Sequence, residues 1–271
     1  MVIPYLLYQL LYLPVAFWSY RPQYAVLELV PKILLGIAAG DGYETPFSLP
    51  VCLPCWFIIS IIQLRVLFLF VPINKKTSLA LTLFSIGFLL LRRHLGFDLY
   101  FCVDSTIMAI PYFLFGHYLK RYYVGVEKVA SWWLVVGAVV MGILVFMMLK
   151  YNGAAQMNGP GFGKNLVASY VAGCSGSIMV FLFAALFSKL IGARSIVRRV
   201  SRNTLFIIFS HWVILVIFGK VLIKLYFTYT LLNIVIAILA SIVVLMISDV
   251  LIKMLSKRIP VLFGKLRNEK I

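Results

Sequence analysis

The chain is 271 residues long, 63% hydrophobic and only 12% charged, with a formal net charge of +17. A mean hydropathy of +1.03 excludes a water-soluble core and points to an all-α, polytopic membrane helix bundle, since lipid cannot satisfy open backbone groups. The charge does not signal a nucleic-acid partner, because the 25 lysines and arginines scatter over loop ends without building a compact basic domain.

A bilayer core about 30 Å thick takes roughly 20 apolar residues of helix to cross. Eight stretches meet or approach that length: 3–19, 51–72, 77–95, 100–119, 130–149, 166–191, 204–223 and 229–252. The first starts with no charged anchor before it. The third loses its clean apolar run at Arg92 and reaches full length only by including Arg92, Arg93 and His94. The whole of 1–271 reads as one membrane domain, with no soluble domain, internal repeat or low-complexity tract.

The basic residues sort the loops between these spans. Sixteen fall on one side, among them Lys75, Lys120, Arg121, Arg199 and the tail, and eight on the other, with Arg65 inside a span. That bias places the C-terminus, and by parity Met1, in the cytoplasm of a cell membrane. Asp41, Glu44, Asp98 and Asp104 then lie outside. The basic cytoplasmic loops also attract anionic lipid headgroups.

Two outer segments are long. Within 20–50 an apolar run, 25–39, is expected to lie along the interface or dip into the membrane. Segment 150–165 is rich in Gly and Asn and reads as a turn-forming loop. It is no phosphate cradle, since no strand precedes it and no Gly-Lys-Ser/Thr follows. A cleavable signal peptide is not expected, because the N-terminus lacks a basic start and a small-residue cleavage site.

Few residues can carry chemistry. Arg65 and Gln63 interrupt an apolar span. An arginine at bilayer depth is costly, so Arg65 faces the bundle interior, a water-filled cavity, or the headgroups by snorkelling. As an anion site it would take phosphate or carboxylate. His211 sits about two turns into a helix that starts at the cytoplasm. It reads either as a general base or as a buried histidine bonded to Ser210 or a nearby carbonyl. His94, with Arg92 and Arg93, could bind an anionic substrate from outside or form a snorkelling basic end, and Asp98 and Asp104 nearby suggest an ion-pair cluster. His117, beside Lys120 and Arg121, reads as structural. Asp249 should pair with Lys253 at i,i+4. Cys52-Leu53-Pro54-Cys55 has redox or metal spacing without the surrounding context. Free thiols are expected, with a disulfide as the alternative.

Four patterns in order resemble acyltransferase family 3, in particular its surface-polysaccharide-modifying branch. Val2-Ile3-Pro4-Tyr5-Leu6-Leu7 resembles the start of that family's third helix, and Pro54-Cys55-Trp56-Phe57-Ile58 the beginning of the next span. Asp104 through Pro111-Tyr112-Phe113-Leu114-Phe115-Gly116 is similar to a later helix ending in Phe-x-x-Gly. Ser201-Arg202-Asn203-Thr204-Leu205 with Phe209-Ser210-His211 resembles a serine-leucine and histidine helix. The resemblance runs over most of the chain.

Such proteins have a ten-helix core, so eight helices beginning at the third imply an N-terminally incomplete domain. The family's catalytic histidine and signature basic residue lie in its first helices, and no residue here matches them. The resemblance leaves open whether a chain lacking them is active. His211, corresponding to a later family histidine, is the remaining catalytic candidate. The resemblance implies acyl transfer from cytoplasmic acyl-CoA, with acetyl-CoA as donor substrate and no bound cofactor or metal, to a hydroxyl of a surface or lipid-linked glycan. Arg65 and the basic loops would serve the donor; Arg92, Arg93 and His94 would serve the acceptor. The competing readings are a transporter or flippase of glycan intermediates, betrayed by inverted repeats with broken helices, and a non-catalytic membrane subunit.

Overall fold

The computed structural model describes residues 2–40, 44–126, 128–157, 161–191, 195–211, 214, 230–256 and 258–263. Regular structure among them is helical, apart from an isolated antiparallel bridge between Gln156 and Gly161. The helices are α1 (Val2–Tyr20), α2 (Val26–Ala39), α3 (Cys55–Phe70), α4 (Lys75–Leu95), α5 (Val103–Leu119), the short α6 (Tyr123–Val126), α7 (Ser131–Asn152), α8 (Leu166–Ile191), α9 (Ser195–Arg202), α10 (204–211) and α11 (Thr230–Leu255). Five of these, α1, α4, α7, α8 and α11, are long and apolar enough to cross a membrane. Most of the expected span 204–223, the first residue of span 229–252, and Asp41, Arg194, Lys220, Lys224, Lys257, Lys265, Arg267 and Lys270 lie outside the described residues.

Two expected spans are shorter than the apolar run suggested. Span 51–72 is helical only over Cys55–Phe70, because the chain first makes a turn in which the Cys55 N–H donates to Cys52 O at 2.9 Å. Span 100–119 starts at Val103, after two residues in the left-handed region, Phe101 (φ 61°) and Cys102 (φ 55°). The run 25–39 is a helix, α2, with Leu29, Ile33, Gly36 and Ala39 buried along one face.

The chain divides into two compact units, Met1–Ile58 with Ala193–Ile271, and Ile59–Gly192. In the first, α1 buries Tyr5, Tyr8, Gln9, Tyr12 and Ala16, all on one face at helical spacing. The hydroxyls end on backbone carbonyls, Tyr8 on Leu262 O at 3.0 Å and Tyr12 on Phe209 O at 2.6 Å, while Tyr5 donates to Ile37 O. Each tyrosine thereby buries its ring without stranding its polar tip. Tyr8 stacks on Phe209 with centroids 3.8 Å apart, and Phe206 on Phe263 at 4.6 Å.

Helix α2 lies directly on the backbone of Leu49. The Leu49 N–H donates to Lys32 O at 3.1 Å, and a Cβ at Gly36 would fall 1.8 Å from Leu49 O. Backbone cannot rotate aside as a side chain can. Gly36→Ala is therefore expected to destabilise the fold by about 1–3 kcal/mol through overpacking, read as a lowered unfolding midpoint in detergent. An unchanged midpoint would mean that α2 and Leu49 do not pack this closely.

In the second unit, α4 starts on a capping box. The Thr77 N–H donates to Asn74 Oδ1 at 3.0 Å, and the Asn74 N–H to Thr77 Oγ1 at 3.1 Å. It stops at Gly96, whose φ of 67° admits the left-handed cap. Helices α7 and α8 run antiparallel with glycines at the contact. A Cβ at Gly137 would meet Leu182 Cδ1 at 3.0 Å, and one at Gly142 would meet Met179 Sδ at 3.3 Å, the small-residue packing that lets helices approach in lipid.

Pro111 lacks the N–H that would close onto the carbonyl four residues earlier. Ser85 of α4 supplies the donor instead, its Oγ reaching Ile107 O at 2.6 Å. The Tyr170 hydroxyl of α8 lies 3.2 Å from Ser85 Oγ and 3.2 Å from Met108 O. Three helices meet at this defect, beside an apolar core of Leu89, Ile107, Met108, Phe162, Leu166 and Tyr170.

Candidate functional site

The C-terminal end of α4 and the N-terminal end of α5 converge in the second unit. The last turn of α4 carries Arg92, Arg93 and His94, and the first turn of α5 carries Asp104. Arg92 Nε donates to Asp104 Oδ2 at 3.1 Å, and its Nη2 pairs with Asp98 Oδ1. Asp104 has no exposed surface and also accepts the Ser105 N–H at 3.0 Å. The ion-pair cluster expected here is present, and the Arg92 guanidinium faces two carboxylates.

Arg93 has a different environment. Its Nη1 donates to Gly163 O at 3.2 Å and Lys164 O at 3.1 Å, and its guanidinium carbon lies 5.1 Å from the centroid of Phe162. It ties the end of α4 to the α7–α8 loop and has no carboxylate partner among the described residues. Asn152 holds that loop: its Nδ2 donates to Phe162 O at 2.8 Å, and its Oδ1 accepts the Asn165 N–H at 2.6 Å. The central residues of the Gly/Asn loop, 158–160, lie outside the described residues. His94 is exposed.

Gln63 does work that its position in an apolar span left unexplained. Its Nε2 donates to Phe101 O at 2.6 Å, and its Oε1 accepts from Thr106 Oγ1. It therefore braces the left-handed pair that opens α5. Arg65, two residues on, is exposed on α3. Its charge lies at the surface of the described chain.

The first unit holds His211 at the end of the described part of α10. His211 Nδ1 lies 3.0 Å from Ile207 O. A carbonyl can only accept, so Nδ1 carries a proton in this contact, and in the neutral ring Nε2 then keeps its lone pair. The neighbouring Ser210 Oγ is buried without a hydrogen-bond partner, so the histidine uses the backbone carbonyl rather than that serine.

Sequence reasoning missed one ion pair. Asp249 takes Lys253 at 2.9 Å, as the i,i+4 spacing predicts, but also Arg199 of α9, with Nε 2.5 Å from Oδ1 and Nη2 3.1 Å from Oδ2. This bidentate bond pushes the Arg199 guanidinium pKa up. The Ser201–Leu205 motif makes the elbow that delivers it: Asn203 Nδ2 donates to Arg199 O at 2.7 Å, and Thr204 Oγ1 to Ser201 O at 2.7 Å. The available signal was an eight-residue basic helix directly before a span. His117 is exposed, edge-on to Tyr118. Cys52 and Cys55 are buried free thiols, and no cluster of metal-ligating residues occurs among the described residues.

Long apolar helices, buried polar side chains ending on backbone carbonyls, and the absence of described strands define a multi-pass membrane protein. Residues 1–253 match the family model for the acyltransferase 3 domain. The chain belongs to acyltransferase family 3 and is a membrane acyltransferase. No curated protein and no solved structure matches it.

Proposed function

We propose that this acyltransferase moves an acetyl group from cytoplasmic acetyl-CoA to a hydroxyl of a cell-surface or lipid-linked glycan, at the cell membrane. The observation that carries the reading is the family match over residues 1–253 of the 271. The glycan oxygen attacks the thioester carbonyl, a C–O bond forms, the C–S bond breaks, and coenzyme A leaves as its thiol. His211 Nε2, freed by the Nδ1 bond to Ile207 O, takes the hydroxyl proton and returns it to the leaving sulfur. Arg65, exposed and without a carboxylate partner among the described residues, suits the donor phosphates. Arg93 and His94 suit the acceptor side, Arg92 being occupied.

The test is removal of the gene from its own host, with ester-linked acetate on surface glycans measured by NMR before and after mild base. The expected result is loss of base-labile acetate, restored by the full chain in trans. Unchanged acetylation would overturn the glycan-acceptor reading.

A further inference from the structure

We propose that a groove between α4 and α5 is a binding site for an anionic phospholipid of the cytoplasmic leaflet. One acyl chain would lie in the groove, with the phosphate on Lys75 and Arg121. The groove has a cavity volume of about 390 Å³, within the usual range for small-molecule sites. Its walls are two matched stripes, Lys75, Leu79 and Thr82 on α4 and Pro111, Phe115 and Tyr118 on α5. Both follow the i, i+4, i+7 spacing of one helix face. Seven residues of helix make the trough about 10 Å long. It is open to the side, and Leu79 on its rim is 61% exposed, so its mouth faces the hydrocarbon.

The interior is mostly apolar. One hydrogen bond joins the Ser78 and Tyr118 hydroxyls, 3.0 Å apart, and Thr82 brings the other hydroxyl among the methylenes and rings along the trough. The cations collect at one end only. Lys75 is the first residue of α4, and the Arg121 guanidinium lies over the rings of Tyr118 at 6.0 Å and Tyr122 at 4.9 Å. Both are exposed and neither has an ion-pair partner among the described residues. Loop charge puts this end in the cytoplasm, the leaflet whose anionic lipids attract basic segments. An apolar trough ending at two unneutralised cations is complementary to an acyl chain ending at a phosphate. The surrounding bilayer supplies that ligand in excess without a lateral gate, which favours phospholipid over a soluble acyl donor.

The test uses the full chain, purified in mild detergent and exposed to equal phosphatidylglycerol and phosphatidylcholine, with retained lipid counted by native mass spectrometry. Phosphatidylglycerol is expected to be retained preferentially. Lys75→Gln and Arg121→Gln should each weaken its retention about fivefold, and together roughly 25-fold, without altering folding, since both side chains are exposed. Thr82→Trp fills the trough and should abolish retention of either lipid. If it does not fold, Thr82→Leu is the milder filler and should reduce retention of both. Equal retention of the two lipids by the native chain would overturn the proposal. So would a charge-depleted double variant that holds phosphatidylglycerol normally, or retention of long-chain acyl-CoA in place of phospholipid.

Discussion

Arg92→Met is expected to destabilise the protein by about 3–5 kcal/mol, because it strands a buried carboxylate. Asp104 has no exposed surface, and Arg92 is its only ion-pair partner among the described residues. Without that guanidinium the carboxylate keeps the Ser105 N–H at 3.0 Å but loses its countercharge. The converse change, Asp104→Ala, should cost less, since Asp98 still reaches Arg92. Joint replacement, Arg92→Met with Asp104→Leu, should recover most of the loss, as an apolar pair carries no desolvation penalty. Unfolding midpoints of the three variants in mixed micelles read this out. A normal midpoint for Arg92→Met, with a raised KM for the acceptor, would return Arg92 to a binding role.

His211→Ala is expected to lower kcat by about 10²–10⁴-fold, the usual contribution of a positioned general base, with little change in KM for the donor. The expectation rests on the proposed acyl transfer and on the tautomer that Ile207 O imposes. His211→Asn should not rescue the rate, since an amide cannot take up the proton. A structural histidine behaves differently: its removal would lower the unfolding midpoint and leave kcat per folded molecule intact. Measuring both on the same preparation separates the two.

Much of the outer cluster was legible before any coordinates. Arg92, Arg93 and His94 end an apolar run, Asp98 follows four residues after His94 and Asp104 ten, across one short connection, so a short stretch of chain brings opposite charges together. Local spacing also carried the pairing of Asp249 with Lys253. What it could not supply was the sharing of Arg92 between two carboxylates, which takes the charge out of play for a ligand. Nor could it supply Arg199, which is separated by 50 residues from Asp249. The tyrosine and glutamine stripe of α1 at positions 5, 8, 9 and 12 was available as a pattern. Its consequence, three hydroxyls donating to backbone carbonyls of distant segments, was not.

Helix boundaries divide the same way. A hydropathy window registers the bilayer thickness and so located the apolar runs. It is blind to the turn at Cys52–Cys55 and to the left-handed pair at Phe101 and Cys102 that Gln63 braces. Those features shorten α3 and α5 to 16 and 17 residues.

The sequence by itself determined the solvent, the helical class and the family resemblance, because all three depend on side-chain polarity summed along the chain or on short ordered motifs. The tertiary structure alone decided which charges remain open: Arg92 and Asp249 are spent on partners, whereas Arg65, Lys75 and Arg121 have no acidic partner among the described residues. Availability of a charge depends on what lies within a few ångströms of it, and in a helix bundle those neighbours come from other helices.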